Sequence, residues 1–317
     1  MTEMLLEVRG LKKAFKTSAG VLTAVDGANL SLRRGETLAL AGESGCGKST
    51  LGRMIAGLTP PDAGSVKLAG TELAGLSHRA LRPWRPKVQM IFQDPFSSLN
   101  PRATVARILE EPLIVHRRGS AGERRREVAR MMERVGLRPE AAARYPHEFS
   151  GGQRQRIGIA RALMLRPELI ICDEPVSALD VSVRAQILNL LADLQKEMGL
   201  SYLFISHDLS VVQHLADRVA VMYLGKIVEV GGSDRFWTAP SHPYTQALMA
   251  ARPLSGTGQR LRDKNILEGE MPSPIGPRQG CDFRSRCGCA FAPCAGTVPA
   301  LRPAGPGHDV ACHLVPG

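Results

Sequence analysis

The run Gly42-Glu43-Ser44-Gly45-Cys46-Gly47-Lys48-Ser49-Thr50 constrains this chain more than any other segment. It fits G-x-x-x-x-G-K-S/T and stands between the apolar run Leu38-Ala39-Leu40-Ala41 and a helical pattern from Lys48 to Leu58. That context predicts a buried strand, a tight glycine turn and a helix whose N-terminus faces the turn. Glycines let backbone N–H groups curl round phosphate oxygens, and the helix end adds a positive dipole. Lys48 is expected to neutralise the outer phosphates and Ser49 to offer a hydroxyl to Mg2+. Gly42, Ser44, Gly45, Cys46, Gly47, Lys48, Ser49 and Thr50 are therefore candidate phosphate and metal contacts.

Short apolar runs recur downstream at Val88 to Phe92, Leu169 to Cys172 and Tyr202 to Ile205. Helical patterns cover Thr104 to Leu137, Gln153 to Leu165, Val181 to Met198 and Leu209 to Ala216. Strands separated by helices predict an α/β fold with a largely parallel sheet covered on both faces. The run Leu169-Ile170-Ile171-Cys172 leads into Asp173-Glu174. A strand ending in two acids delivers Asp173 to hold magnesium and Glu174 to act as general base on the attacking water.

The segment Phe149-Ser150-Gly151-Gly152-Gln153 resembles the signature motif of the ATP-binding cassette (ABC) superfamily. Other family elements match in order: Gln93 in Ile91-Phe92-Gln93-Asp94, Asp180 in Ser177-Ala178-Leu179-Asp180, and His207 in Ile205-Ser206-His207-Asp208. The resemblance spans nearly all of residues 5–235. It implies a P-loop NTPase cassette with a mixed or parallel sheet core and a helical subdomain at about residues 95–165. It also implies ATP and Mg2+ as ligands, with Glu174, His207 and Gln93 catalytic. Gln93 would join the metal site to a transmembrane partner, and His207 would contact the γ-phosphate. Ser150, Gly151, Gly152, Gln153 and Asp180 would act across a dimer of cassettes closed over two ATP molecules. Taken alone, Ser150 at a helix start is also an ordinary N-cap. Phe15 is the only aromatic residue before the phosphate loop, and it reads equally as an adenine-stacking ring or as a core side chain of the first strand.

Three flanks narrow the resemblance: Pro95-Phe96-Ser97-Ser98-Leu99-Asn100-Pro101-Arg102, Tyr145-Pro146-His147-Glu148 and Ser241-His242-Pro243-Tyr244-Thr245. Together they look like ATPase subunits of bacterial dipeptide and oligopeptide importers, and Gly151 to Leu163 is closer to the second ATPase of the pair. The resemblance implies a homologous second ATPase, two membrane permeases and an extracytoplasmic substrate-binding protein as partners. It places the chain at the cytoplasmic face of the membrane. The same family includes carriers of nickel, glutathione and other small solutes.

After about Ala251 the composition turns to Pro and Gly, and five of the seven Cys lie between Cys281 and Cys312. This predicts domains at 1–250 and 251–317, the second a small, irregular, Cys-rich extension. Cys281, Cys287, Cys294 and Cys312 resemble the C-terminal region of the importer family, in which some members hold a four-iron, four-sulfur cluster (4Fe-4S). Four thiolates suit either that cluster or zinc, a tail without metal is the third reading, and Cys289 is a spare.

The net charge of +11 comes from 32 Arg and 9 Lys against 30 acids, which favours acidic partners without choosing among them. The run Arg117-Arg118…Arg124-Arg125-Arg126 invites a nucleic-acid reading, as in soluble cassette proteins of nucleic acid or ribosomes. With aromatic residues at only 4%, stacking platforms are scarce and a solvated helix face is expected instead. No apolar run approaches the ~18–20 residues of a membrane span, and no secretory signal is visible.

Overall fold

The computed structural model describes residues 3–94, 98–251 and 271–315. Pro95, Phe96 and Ser97 of the first flank lie outside the described residues. In chain order the strands are β1 (Met4–Thr17), β2 (Gly20–Arg33), β3 (Thr37–Ala41), β4 (Ala63–Leu68), β5 (Thr71–Glu72) and β6 (Val88–Ile91). They continue with β7 (Leu169–Asp173), β8 (Ser201–Ser206), β9 (Arg218–Tyr223), β10 (Lys226–Gly232), β11 (Arg302–Gly305) and β12 (His308–Val310). The chain divides into two compact units, Met1–Gly75 with Ile205–Gly317, and Leu76–Phe204.

The first unit holds an antiparallel sheet in the order β2-β1-β4-β5 and a run of strands in the order β11-β12-β10-β9-β3. Within that run β3 and β9 are parallel, and the other neighbours are antiparallel. The largely parallel sheet expected from strand–helix alternation is thus only part of the architecture. The 14-residue strands β1 and β2 form a hairpin whose register shifts between Val8 and Leu11. Such bulges break the alternation of inward and outward side chains.

The core of this unit gathers Ala39 and Ala41 of β3, Val219, Val221 and Tyr223 of β9, Phe236 and Tyr244, and Phe283 of the tail. Tyr223 meets Tyr244 with ring centroids 4.6 Å apart and Phe283 edge-on at 5.3 Å. Each such pair contributes about 0.5–1.5 kcal/mol beyond the area it buries. The tail is less irregular than its composition predicts, because β11 and β12 form a hairpin and β12 pairs with β10. A fully buried carboxylate fixes that junction. Glu229 accepts N–H bonds from Ser241 at 2.8 Å and His242 at 3.0 Å, and lies 2.8 Å from His308 Nε2.

The second unit carries β8-β7-β6, with β6 and β7 parallel. The stretch Thr104 to Leu137, read as one helical region, is two helices, Val105–Val115 and Ala121–Arg134. Arg117 and Gly119 adopt positive φ of 53° and 69°, and Ser120 with Glu123 forms a capping box that starts the second helix. Arg125 and Arg126 of the basic run are exposed. Arg118 instead donates to Leu165 O at 2.8 Å, and Arg124 pairs with Glu110 at 2.9 Å. Among the described residues no helix is long and apolar enough to cross a membrane.

Candidate nucleotide-binding site

In the first unit, β3 is buried along its whole length and ends at the phosphate loop, which runs into the helix Lys48–Ile55. Two glycines are obligatory for this turn. Gly42 has φ 150°, and a Cβ there would lie 2.3 Å from Met222 O. Gly47 has φ 108°, and a Cβ there would lie 2.1 Å from Ala24 O. Gly47 is the N-cap; it has no side chain to cap the helix, and no acid stands in the first turn. The positive helix end is therefore not compensated from within its own sequence. Lys48 is buried, and its ammonium donates to Gly42 O and Glu43 O, each at 2.8 Å. Ser44 and Gly45 are exposed, while Ser49 and Thr50 are half-buried.

Cys46 is buried and lies 3.8 Å from Lys48 Nζ; burial pushes its thiol above the usual range, so it serves as a small packing residue. Cys172 on β7 is likewise buried, with its thiol pushed up by burial. Phe15 is 40% exposed, with Lys13 Nζ 5.5 Å from its ring centroid. That exposure does not fit the alternative of a core side chain. His207 directly follows β8 and is exposed.

The second unit brings the acidic residues together. Asp173 closes β7 and is 3% exposed. Glu174 follows at φ 47°, a left-handed conformation that a non-glycine residue rarely adopts. Strain of about 1–3 kcal/mol at such a position is held only where the surroundings over-determine it, and it clusters at reacting residues. Ser177 N–H and Oγ both donate to Glu174 O, at 3.3 Å and 3.1 Å. Gln93 Nε2 donates to Glu174 Oε2 at 3.1 Å, so two residues separated by 81 positions share one hydrogen bond.

Ser150 is the N-cap of the helix Gly151–Leu163, in a reciprocal capping box with Gln153. Asp180 is the exposed N-cap of Val181–Met198. At Gly152 a Cβ would lie 2.4 Å from Val183 Cγ1, so any side chain here would strike the start of the helix Val181–Met198.

All seven thiols of the chain are free, and five of them lie in the tail: Cys281, Cys287, Cys289, Cys294 and Cys312. Among the described residues no group of three or more His, Cys, Asp or Glu is placed to hold a metal ion. The thiols nevertheless feel one another. Burial pushes Cys281 up, and charge on Cys294, Cys312 and Cys287 pushes it the same way. Cys312 is raised by burial and then by Cys294 and Cys289.

The sequence motifs did not reveal that the Ser241–Thr245 flank serves the phosphate loop. His242 caps the helix Pro243–Ala250 through Nδ1, which accepts Tyr244 N–H at 3.0 Å. Tyr244 Oη then accepts Glu43 N–H at 2.9 Å. Burial lowers His242 to about 4, which keeps that ring neutral and its Nδ1 an acceptor.

A strand–glycine loop–helix carrying a buried lysine, with a signature helix and an acid-terminated strand, defines an ATP-binding cassette. The model of the ABC transporter family matches residues 25–177, and that of the oligopeptide/dipeptide transporter C-terminal region matches residues 228–294. The chain is 51% identical to the oligopeptide transport ATP-binding protein AppF of Bacillus subtilis, over 98% of each chain. It is 50% identical to the dipeptide transport ATP-binding protein DppF of Escherichia coli, over 99% of this chain and 96% of that one. A dimeric ATP-binding cassette solved in a post-hydrolysis state with ADP and Pi superposes with a TM-score of 0.66 and 30% identity, covering 72% of this chain and 98% of that one. The chain belongs to the ABC transporter family, among the ATP-binding subunits that carry the oligopeptide/dipeptide C-terminal region.

Proposed function

We propose that this chain hydrolyses ATP to power import of dipeptides or oligopeptides across the cytoplasmic membrane, from a peripheral position on its inner face. The observation that carries the reading is one chain matching both the cassette and the oligopeptide/dipeptide C-terminal region, with near full-length identity to peptide-transport ATPases. The working unit is an ATP sandwich of two cassettes, this chain and a homologous ATPase. Two permeases and an extracytoplasmic substrate-binding protein complete it. The domains we assign are a nucleotide-binding domain at 1–250, with its helical subdomain at about 95–165, and the Cys-rich extension at 251–317.

Lys48 neutralises the outer phosphates, and the backbone of Gly42, Ser44, Gly45, Cys46, Gly47 and Thr50 cradles them. Phe15 stacks on adenine. Ser49 and Asp173 provide the hard oxygen donors that suit Mg2+. The ion supplies charge neutralisation and orientation of the phosphate oxygens. Glu174 takes the proton from the attacking water, Gln93 orients the Glu174 carboxylate, and His207 contacts the γ-phosphate. Ser150, Gly151, Gly152, Gln153 and Asp180 act on the nucleotide held by the opposite cassette.

In the reconstituted complex, a peptide-loaded binding protein is expected to raise ATP turnover several-fold. Nickel- or glutathione-loaded protein is not, and stimulation by either of those alone would reassign the solute.

We also propose a 4Fe-4S cluster on Cys281, Cys287, Cys294 and Cys312, with zinc as the competing occupant. The support is the resemblance of the tail to the importer family's C-terminal region, together with four free cysteines that offer a donor set made only of sulfur. Anaerobic purification followed by iron, sulfide and zinc counts is expected to give matched iron and sulfide with visible absorption. Zinc alone would make the site a structural clamp, and free thiols in a folded tail would end the metal reading.

A further inference from the structure

Within the first unit the tail reaches the phosphate loop itself. Arg286, the residue before Cys287, places Nη1 3.0 Å and 3.1 Å from the two carboxylate oxygens of Glu43. The guanidinium side chain is 6% exposed and the carboxylate side chain 26%. The guanidinium carbon also lies 6.0 Å from the Tyr223 ring centroid, so Arg286 is held by an aromatic face as well as by the ion pair. Met271, at the start of the described tail, comes within 3.7 Å of the Cβ position of Gly45.

Glu43 is an awkward residue in its place. It follows Gly42, and its carbonyl accepts from the Lys48 ammonium, so its carboxylate belongs to a loop built to receive a polyanion. An uncompensated carboxylate there repels triphosphate, and a shielded pair is screened by salt less than an exposed one. We infer that Arg286 is a positioning residue for nucleotide binding: the tail supplies the counter-charge that lets the Glu43-bearing loop accept ATP. The inference rests on the phosphate-loop reading and is independent of what the four cysteines hold.

The test uses the full-length chain and the fluorescent nucleotide mant-ATP, with affinity read by anisotropy at low and high salt. Arg286→Ala is expected to weaken binding about five- to tenfold at low salt, with a smaller loss at high salt. Arg286→Lys keeps most of the affinity. Adding Glu43→Gln to Arg286→Ala restores affinity to within about twofold of wild type, because the repelling charge is gone. Loss of Arg286 packing alone gives no such rescue, since removing a carboxylate rebuilds no packing. An unpaired Glu43 that merely unfolds the loop would show as a lower melting temperature in Arg286→Ala, which the inference does not require. Wild-type affinity in Arg286→Ala, or a loss that Glu43→Gln leaves in place, overturns the inference. A wild-type chain that fails to bind mant-ATP removes the phosphate-loop reading and this inference with it.

Discussion

Replacing Glu174 by Gln is expected to abolish ATP turnover while leaving nucleotide binding intact. The substitution is nearly isosteric, and its carbonyl oxygen can still accept from Gln93 Nε2, the 3.1 Å bond that orients the side chain. What disappears is the ability to take a proton. General bases contribute roughly 10²–10⁴-fold, so turnover in the assembled complex should fall by at least about 10²-fold. The left-handed backbone at φ 47° is a property of the turn after β7 and is common to both side chains, so the loop conformation should survive. Equilibrium binding of mant-ATP and steady-state phosphate release, measured on the same preparation, separate the two effects. Turnover near the wild-type rate would remove Glu174 from the catalytic role, and a parallel loss of binding would mean that the turn had collapsed.

The parts of the site that were legible in the sequence are those whose chemistry is local. The phosphate loop needs glycine where a Cβ would strike Met222 O or Ala24 O, and a lysine at the start of the helix, and all of this lies within nine consecutive residues. Periodicity gave Val181–Met198 to the residue because one uninterrupted helix follows one pattern. It missed the β1–β2 hairpin, where Leu5, Leu6, Val8 and Leu11 are all buried and the bulge removes the two-residue alternation. It merged the two helices after Thr104 by passing over Gly119 and the capping box from Ser120 to Glu123, which together mark the break. The Asp173-Glu174 pair marked Glu174 as the candidate base, but its left-handed backbone is set by neighbours and no residue type announces it. The tail was hardest to read. Its anchors join Arg286 to Glu43 over 243 positions and His308 to Glu229 over 79, and no local pattern encodes such pairs. The Ser241–Thr245 flank carried the one available signal, but its physical role appears only when Tyr244 is seen holding Glu43 N–H.

Ser150→Arg is the second large effect expected, and its interpretation depends on separating two roles of one hydroxyl. Ser150 Oγ accepts Gln153 N–H at 3.4 Å, and Gln153 Oε1 accepts Ser150 N–H at 3.0 Å. Loss of that cap costs about 1 kcal/mol of stability, which the melting temperature of the isolated Ser150→Ala chain measures. If capping were the whole role, Arg and Ala would lower the melting temperature alike and leave turnover nearly unchanged. In the sandwich reading the hydroxyl, the glycine N–H groups and the positive helix end meet the γ-phosphate held by the other cassette. A bulky cation in that place prevents closure without touching the phosphate loop of its own chain. Turnover in the assembled complex should then fall about 10²-fold or more, while mant-ATP binding by the isolated chain stays at the wild-type level. Ser150→Asn caps as well as serine does but is larger, so it should keep the melting temperature and still lose turnover. A Ser150→Arg complex that hydrolyses ATP at the wild-type rate would return Ser150 to the role of a helix cap.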